Sequence, residues 1–357
     1  MNTHDHEVSE INEAREINEV NEVNEVRKFI QNYNKFYIAG HIQPDGDSIG
    51  ACFGLGLALE KLGKKAQVFI EPYHTKYNII PGNHLIYDGE ITLDILGGID
   101  KSDDFAIICL DCADITRLED PVQELAKAKH SHTLCIDHHY SNTKFARYNY
   151  VDGTASSTCE MVYRILSGFM ELNCDIATAL YSGMVTDTGG FRHSSTSEET
   201  LRATADLTSI GIPFQEIYRE LINLRTYTEV KLLARVLNAV NRSEDAQVVH
   251  VCVPKTMLEG FDGTPDASTQ DLEGIVEFLL NIRRAKVALL VYERAGGGAK
   301  ISLRSRRVNV GAIAQQFGGG GHQLAAGAAV SGDIYEIRDK LLPLLHEALT
   351  KIYEEKS

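Results

Sequence analysis

Apolar residues follow two different patterns along this chain, and each pattern predicts a different kind of domain. In the first part, short uninterrupted apolar runs end at Gly40, Leu110 and Ile136, and they do not alternate with polar residues. Runs of this length are typical of parallel strands that are buried on both faces. The small and apolar segment 51–59 follows the first run and predicts a buried helix. We therefore expect an N-terminal α/β domain with a parallel sheet.

The pattern changes near residue 246, where turns rather than helices begin to separate the strand-like segments. Residues 293–298 end in glycines and predict a hairpin connection. Apolar residues at helical spacing over 226–240 predict a helical connector between the two parts. We expect a smaller C-terminal α+β domain built from antiparallel hairpins. Its predicted strands are 247–253, 286–292 and 300–305, and its predicted helices are 310–316 and 334–351.

Polar side chains with metal-ligand chemistry follow the apolar runs of the first domain. The carboxyl ends of parallel strands meet at one edge of a sheet, where open α/β sheets place their ligands. Four carboxylates and two imidazoles are enough for two metal ions that share a bridging carboxylate, and such donors favour Mn, Fe or Zn. Two such ions could clamp the attacking and leaving oxygens of a displacement at phosphorus. The candidate ligands are His41, Asp45, Asp47, Asp111, His138 and Asp187.

These residues also resemble a known family in their order and spacing. They are similar to the four motifs of the DHH phosphoesterase superfamily, and a later glycine run resembles the signature of the DHH-associated C-terminal domain. The size and domain pairing are most similar to NrnA-type enzymes, which degrade very short RNAs and remove the 3′-phosphate from adenosine 3′,5′-bisphosphate. The residues that carry the resemblance are the turn at His41, Asp111, the triplet Asp137-His138-His139, Asp187 and the run Gly318–His322.

The resemblance implies a division of the chain into four segments. The first segment has glutamate at every third position from Glu7 to Glu25. A period of three drifts around an α-helix, so a solvated acidic extension is favoured over a docking helix there. The segments are an acidic N-terminal extension over 1–30, a DHH catalytic domain over 31–212, a helical linker over 213–245 and a DHH-associated substrate-binding domain over 246–357.

The resemblance further implies a role for each motif. Asp111 would bridge two divalent ions, expected to be Mn²⁺, and His139 would contact the scissile phosphoryl oxygen, so these two residues form the catalytic pair. Asp137 would orient an imidazole or cap the following turn. One ion would be held by His41, Asp45 and Asp111, and the other by Asp47, Asp111, His138 and Asp187. The substrate's terminal nucleotide would be held by Arg304 and His322, with close approach to the amides of Gly319, Gly320 and Gly321.

Charge and composition narrow the range of partners. The chain has 50 acidic and 35 basic residues, a formal net charge of −15, which argues against a broad surface for duplex nucleic acid. A short single-stranded RNA, a dinucleotide or a small nucleotide in one pocket stays compatible with this charge. The chain has no apolar stretch of the ~20 residues that cross a bilayer, so we expect no membrane contact and a cytoplasmic location. Whether the protein forms a homodimer is left open.

Two other functions stay open at this point. The nearest is a phosphodiesterase for cyclic di-AMP or its linear product pApA, and the second is an inactive nucleotide-binding regulator. Intact carboxylates at all four motifs argue against the regulator. Tyr140 and His193 depart from the family pattern near the expected substrate path. For His193, a hydrogen-bonding neighbour of the site is favoured over a further metal ligand.

Overall fold

The computed structural model describes residues 20–89, 104–260, 265–294 and 296–354. The chain divides into two compact units, Met1–Leu224 and Arg225–Ser357. The segment 213–245, predicted as a linker, is therefore shared between the two units. Most of the glutamate repeat lies outside the described residues.

The first unit is a parallel sheet with helices on both faces, which confirms the predicted α/β class. Its strands pair in the order β2-β1-β3-β4-β5, and all of these pairs are parallel. The strands are β1 (Lys35–Ala39), β2 (Lys65–Phe69), β3 (Phe105–Leu110), β4 (Thr133–Asp137) and β5 (Tyr148–Val151). The helices are α1 (20–32), α2 (Gly46–Lys61), α3 (Asp120–Ala128), α4 (Thr158–Leu166), α5 (Cys174–Asp187), α6 (Glu198–Ser209) and α7 (Phe214–Tyr218), which continues as a π-helical turn over Arg219–Asn223.

The central strands are buried on both faces because each face packs against its own core. Ile108 and Ile136 point into a core formed with α2, α4 and α5. Ile107 and Cys109 belong to the opposite core, which includes Leu125 of α3. This double burial explains why the strands appear in the sequence as unbroken apolar runs rather than as alternating ones.

Helices α2 and α5 approach each other through glycines. A Cβ added at Gly50 would lie 2.6 Å from the carbonyl oxygen of Ala179, and one at Gly183 would lie 2.8 Å from Oδ1 of Asp47. A Cβ at Gly46 would lie 2.4 Å from Oγ1 of Thr186. The start of α2 and the end of α5 therefore meet with no room for a side chain between their backbones.

The second unit contains a mixed sheet with helices on both faces, which confirms a smaller α+β domain. The strands β8 and β9 form the predicted antiparallel hairpin, but β7 and β8 are parallel, so hairpins alone do not describe the sheet. The strands are β6 (Asn241–Arg242), β7 (Val248–Val253), β8 (Val287–Glu293), β9 (Ala299–Ser305), β10 (Gly320–Gly321) and β11 (Ala325–Val330), in the order β10-β11-β9-β8-β7-β6. The helices are α8 (Tyr227–Asn238), α9 (Ile275–Leu280), α10 (Val310–Gln315) and α11 (Ile334–Glu354).

The parallel pair has a clear structural reason. Residues 254–286 connect β7 to β8, which is long enough for a crossover that includes α9. Strands β10 and β11 were not predicted, because glycine and alanine carry little β signal. None of the helices in the described part of the chain has the length and apolar character needed to span a membrane.

The substitution Gly50→Ala should lower the free energy of unfolding by about 1–3 kcal/mol, because the new methyl group overlaps the backbone of α5. Chemical denaturation of the whole chain, followed by circular dichroism, measures this change. Gly296→Ala is the matched control, since a Cβ there meets nothing within 4 Å. Equal midpoints for the two variants would contradict the close approach of α2 and α5.

Candidate metal centre

The six predicted ligands converge at the carboxyl edge of the parallel sheet. Nε2 of His41 lies 3.4 Å from Oδ2 of Asp111 and 3.8 Å from Oδ1 of Asp45. Nε2 of His138 lies 3.6 Å from Oδ1 of Asp111 and 3.6 Å from Oδ2 of Asp187. Two ligand atoms that are each ~2.1 Å from one metal ion lie roughly 3–3.5 Å apart, so these spacings suit bound ions.

The ligand atoms form three groups, and Asp111 is common to two of them. One group consists of the ligand atoms of Asp111, His138 and His139. Those of His41, Asp45 and Asp111 lie within 4.8 Å of one another, and so do those of Asp47, His138 and Asp187. Asp111 is 3% exposed and approaches the histidines of both groups. The structure thus brings together the side chains that the family resemblance names as ligands.

The two imidazoles are oriented by backbone groups. Nδ1 of His41 lies 2.8 Å from the carbonyl oxygen of Ile42, so Nδ1 carries a hydrogen and Nε2 faces Asp111. His138 forms a hydrogen bond with the backbone of Ala155. Such bonds on the far side of the ring are the usual arrangement for metal-ligating histidines.

The carboxylate of Asp47 is held by the amino end of α4. Its Oδ2 accepts from the backbone N–H of Thr158 at 2.6 Å, and its Oδ1 accepts from that of Cys159 at 2.9 Å. The Thr158 hydroxyl also donates to Oδ1 of Asp111 at 3.1 Å. None of these three contacts was predicted from the sequence, although Ser157 ahead of an apolar segment is a typical helix N-cap signal.

His139 is oriented by the residue two positions before it. Its Nδ1 lies 2.6 Å from Oδ1 of Asp137, and the other Asp137 oxygen accepts from Nδ2 of Asn142 at 2.6 Å. Nδ1 therefore donates to the carboxylate, which fixes the orientation of the ring. The predicted orienting role suits this geometry of Asp137, whereas no feature of the sequence pointed to Asn142.

Residues flagged as departures from the family pattern lie close to the site. Nδ1 of His193 is 3.0 Å from the backbone oxygen of Asp187, and the ring belongs to no ligand group in the part of the chain that the structure describes. His193 is therefore a hydrogen-bonding neighbour of the site, the role favoured for it from the sequence. Tyr140 follows His139 and is 77% exposed.

In the second unit, the predicted substrate residues share one sheet. Nε of Arg304 is 2.6 Å from Oε1 of Glu277 on α9, so the guanidinium has a partner that the sequence did not reveal. Gly320 and Gly321 are not a free loop, because they pair with β11. A Cβ at Gly319 would lie 2.1 Å from the oxygen of Gly327, whereas one at Gly320 would meet nothing within 4 Å. His322 is exposed at the end of this strand.

Comparison with known proteins identifies the domain families to which the two parts of the chain are similar. Residues 35–184 match the DHH family, N-terminal domain, and residues 245–351 match the DHHA1 domain. The chain belongs to the DHH family. It is 29% identical over 320 residues to the bifunctional oligoribonuclease and PAP phosphatase NrnA of Thermus thermophilus, which covers 88% of this chain and 90% of that protein.

Two solved structures support the fold of this DHH protein. An exopolyphosphatase-related protein from Bacteroides fragilis matches with a TM-score of 0.81 and 27% identity, over 92% of this chain and 96% of that one. RecJ of Thermus thermophilus in complex with Mn²⁺ matches with a TM-score of 0.51 and 13% identity, over 87% of this chain and 52% of that one. At that identity the likeness to RecJ concerns the fold alone.

Crowding of carboxylates raises the proton affinity of two ligands in the DHH domain. Burial, with the nearby Asp111 carboxylate, raises the pKa of Asp47 to about 7. Burial and the charges of Asp47 and Asp45 also raise the pKa of Asp187. A bound divalent cation favours the deprotonated carboxylates, so the donor set fits such an ion.

The pKa values of Asp111 and His41 shift in directions that follow from the groups around them. Burial alone would raise the pKa of Asp111, but its hydrogen bond with His41 and the positive charges of His139 and His138 lower that pKa overall. Burial disfavours the charged form of His41, yet its contacts with Asp111 and Asp45 raise its pKa to about 11. In the absence of metal, protons therefore take over part of the charge balance.

The metal-free protein should lose thermal stability as the pH rises from about 4 to 8. Because the pKa of Asp47 is raised from 3.8 to about 7 on folding, its contribution is complete below 3.8 and is lost as the pH rises through 7. The raised pKa of His138 adds to this loss above its ordinary 6.5. The lowered pKa of Asp111 contributes fully above 3.8 and does not reverse the trend.

Melting temperatures recorded in chelator at several pH values measure this loss, and Mn²⁺ should raise them most at the highest pH. The variant Asp47→Asn serves as the control and should have a shallower pH dependence. A melting temperature of the metal-free protein that climbs across the interval would show that this electrostatic account is wrong.

Proposed function

We propose that this protein is a two-metal phosphoesterase that hydrolyses short oligoribonucleotides, including dinucleotides, and removes the 3′-phosphate of adenosine 3′,5′-bisphosphate. The observation that carries the proposal is the meeting of two ligand groups at Asp111, with the oriented imidazole of His139 beside them. Nδ1 of His139 lies 3.7 Å from Oδ1 of Asp111. The similarity to NrnA over most of both chains supports this choice of substrates.

Two Mn²⁺ ions suit the ligands, since mixed carboxylate and imidazole donors are typical sites for this metal. His41, Asp45 and Asp111 would hold one ion, and Asp47, Asp111, His138 and Asp187 the other. When bound, the ions supply polarisation of the phosphoryl group and a lowered pKa for the attacking water. The N-terminal amides of α4 hold Asp47 in place for this role.

His139 would stabilise the charge that develops on the phosphoryl oxygen. Burial lowers its pKa, but the hydrogen bond with Asp137 and the charge of Asp111 raise that pKa overall. A protonated ring that donates through Nδ1 to Asp137 also carries a hydrogen on Nε2. A fixed donor aimed at developing charge is the arrangement that favours a transition state over a ground state.

The second unit contains the residues predicted to contact a nucleotide. Ser302 lies opposite Gly327, and Gly327 lies opposite Gly320, so small residues form a row across β9, β11 and β10. A flat nucleobase can approach such a row closely. Arg304 extends from the same partly exposed face as Ser302, and Glu277 fixes its guanidinium. This arrangement supports the prediction that Arg304 contacts a substrate phosphate.

Purified protein with Mn²⁺ should release phosphate from adenosine 3′,5′-bisphosphate and cleave a five-nucleotide RNA, with no comparable rate on cyclic di-AMP. Asp111→Ala should reduce kcat by about 10³-fold or more, because both ligand groups lose their shared member. Asp175→Ala, an exposed carboxylate at the other end of α5, is the matched control.

Each alternative predicts a different result in this assay. Preferential cleavage of cyclic di-AMP would favour the cyclic dinucleotide phosphodiesterase. Binding of the nucleotides without turnover of any of the three would favour the inactive regulator. Either result would show that the proposed reaction is wrong.

Arg304→Gln should raise KM for both proposed substrates about 10-fold to 100-fold with a smaller effect on kcat, because a charged hydrogen bond to phosphate is lost. Steady-state kinetics measure the two constants separately. Arg306→Gln is the control, since the Arg306 guanidinium instead donates to the backbone oxygen of Leu280. Unchanged KM for Arg304→Gln would remove this residue from the substrate site.

A further inference from the structure

Arg117 places a positive charge beside the candidate metal centre, and none of the roles described above uses it. It ends a 3₁₀ turn over Ile115–Arg117, between β3 and α3. Its Nη2 lies 3.4 Å from Nδ1 of His41. Because that Nδ1 donates its own hydrogen to the Ile42 carbonyl, it offers no lone pair to the arginine. The guanidinium is therefore adjacent to a ligand without being bonded to it.

The charge of Arg117 has no acidic counterpart in the residues that the structure describes. There, no carboxylate oxygen comes within 4.0 Å of its guanidinium nitrogens. Arg164 of the same unit, by contrast, contacts Asp152 at 2.8 Å. An arginine that is both exposed and next to a cluster of metal ligands is available to a ligand anion.

The main chain holds Arg117 at this position from two sides. Its carbonyl oxygen accepts from the N–H of Ile42 at 2.7 Å, and its own N–H donates to the carbonyl oxygen of Asp114 at 2.9 Å. Asp114 also accepts from the hydroxyl of Thr143 at 3.0 Å. The turn is thus tied to the loop of His41 and to the segment that follows the two histidines of the triplet.

Charge balance indicates what would occupy the space next to this arginine. Two divalent ions would offset the four carboxylates of the centre, which leaves the arginine as an excess positive charge. A phosphate bound at the centre supplies the missing negative charge, and the planar guanidinium can bind two phosphate oxygens at once. His139 belongs to the group with Asp111 and His138, whereas Arg117 lies beside His41 of another group, so the two donors come from different ligand groups of the centre.

We propose that Arg117 is a substrate-binding residue that contacts the phosphate held at the metal centre from the His41 side. This inference rests on the proposed phosphoesterase function. It assigns a role in holding the substrate to a residue outside the four motifs.

The test compares Arg117→Gln and Arg117→Lys with the wild type in three measurements. Calorimetry gives the affinity of the full chain for Mn²⁺ and the affinity of the Mn²⁺-loaded protein for inorganic phosphate. Steady-state kinetics give kcat/KM for adenosine 3′,5′-bisphosphate. We expect Arg117→Gln to weaken phosphate binding about 10-fold or more and kcat/KM by about 100-fold, with Mn²⁺ affinity unchanged. Arg117→Lys should restore part of the loss, because it keeps the charge but not the planar fork.

Arg202→Gln is the matched control, an exposed arginine on α6 that is paired with Glu198, and it should leave all three quantities unchanged. A fall in Mn²⁺ affinity for Arg117→Gln would mean that the residue positions His41, and this result would overturn the proposal. Undiminished phosphate affinity would overturn it as well.

The phosphate measurement needs no turnover, so it separates this inference from the proposed function. A wild-type protein that binds phosphate through Arg117 but cleaves no nucleotide would contradict the proposed reaction and still support the role of the arginine. A protein that turns over its substrates with Arg117→Gln as fast as the wild type would support the reaction and overturn the inference.

Discussion

The constraint on which the first unit depends is the repulsion between carboxylates gathered in a buried place. Asp47 and Asp111 are each at most 3% exposed, and each carries a charge that burial disfavours. The fold offsets this cost with backbone N–H donors at fixed positions. Backbone amides of α4 bond to Asp47, and the first amides of α2 bond to Asp45. A negative charge at the amino end of a helix is stabilised by the helix dipole as well as by these bonds.

Packing of the helices then decides how close the carboxylates come. Helix α2 begins within the metal loop and α5 ends at Asp187, so the distance between these helices sets the distance between the ligands that they carry. Glycines at positions 50 and 183 let the two backbones approach without intervening side chains. The same contact contributes to the hydrophobic core and to the geometry of the centre, so stability and site geometry are coupled there.

The two units use their sheets in different ways. The first sheet is covered on both faces, and its site lies at the strand ends, as is general for open α/β sheets. In the second sheet, β7 and β8 are covered by α8 and α9, while Ser302 and Arg304 on β9 remain partly exposed. A face that is half covered leaves a surface on which small residues and one arginine are accessible. The first unit thus presents carboxylates and imidazoles, whereas the second presents small residues and an arginine.

The sequence alone determined the fold class, most of the strands and the pool of candidate metal ligands, because buried parallel strands and strand-end turns leave local patterns. It could not determine which backbone groups hold those side chains. The bond from Thr158 to Asp47 joins residues 111 positions apart, and the pairing of Arg304 with Glu277 follows from a crossover between parallel strands. Likewise, nothing local distinguishes Arg117 from any exposed arginine. Such contacts join residues far apart in the chain, so only the tertiary structure could decide them.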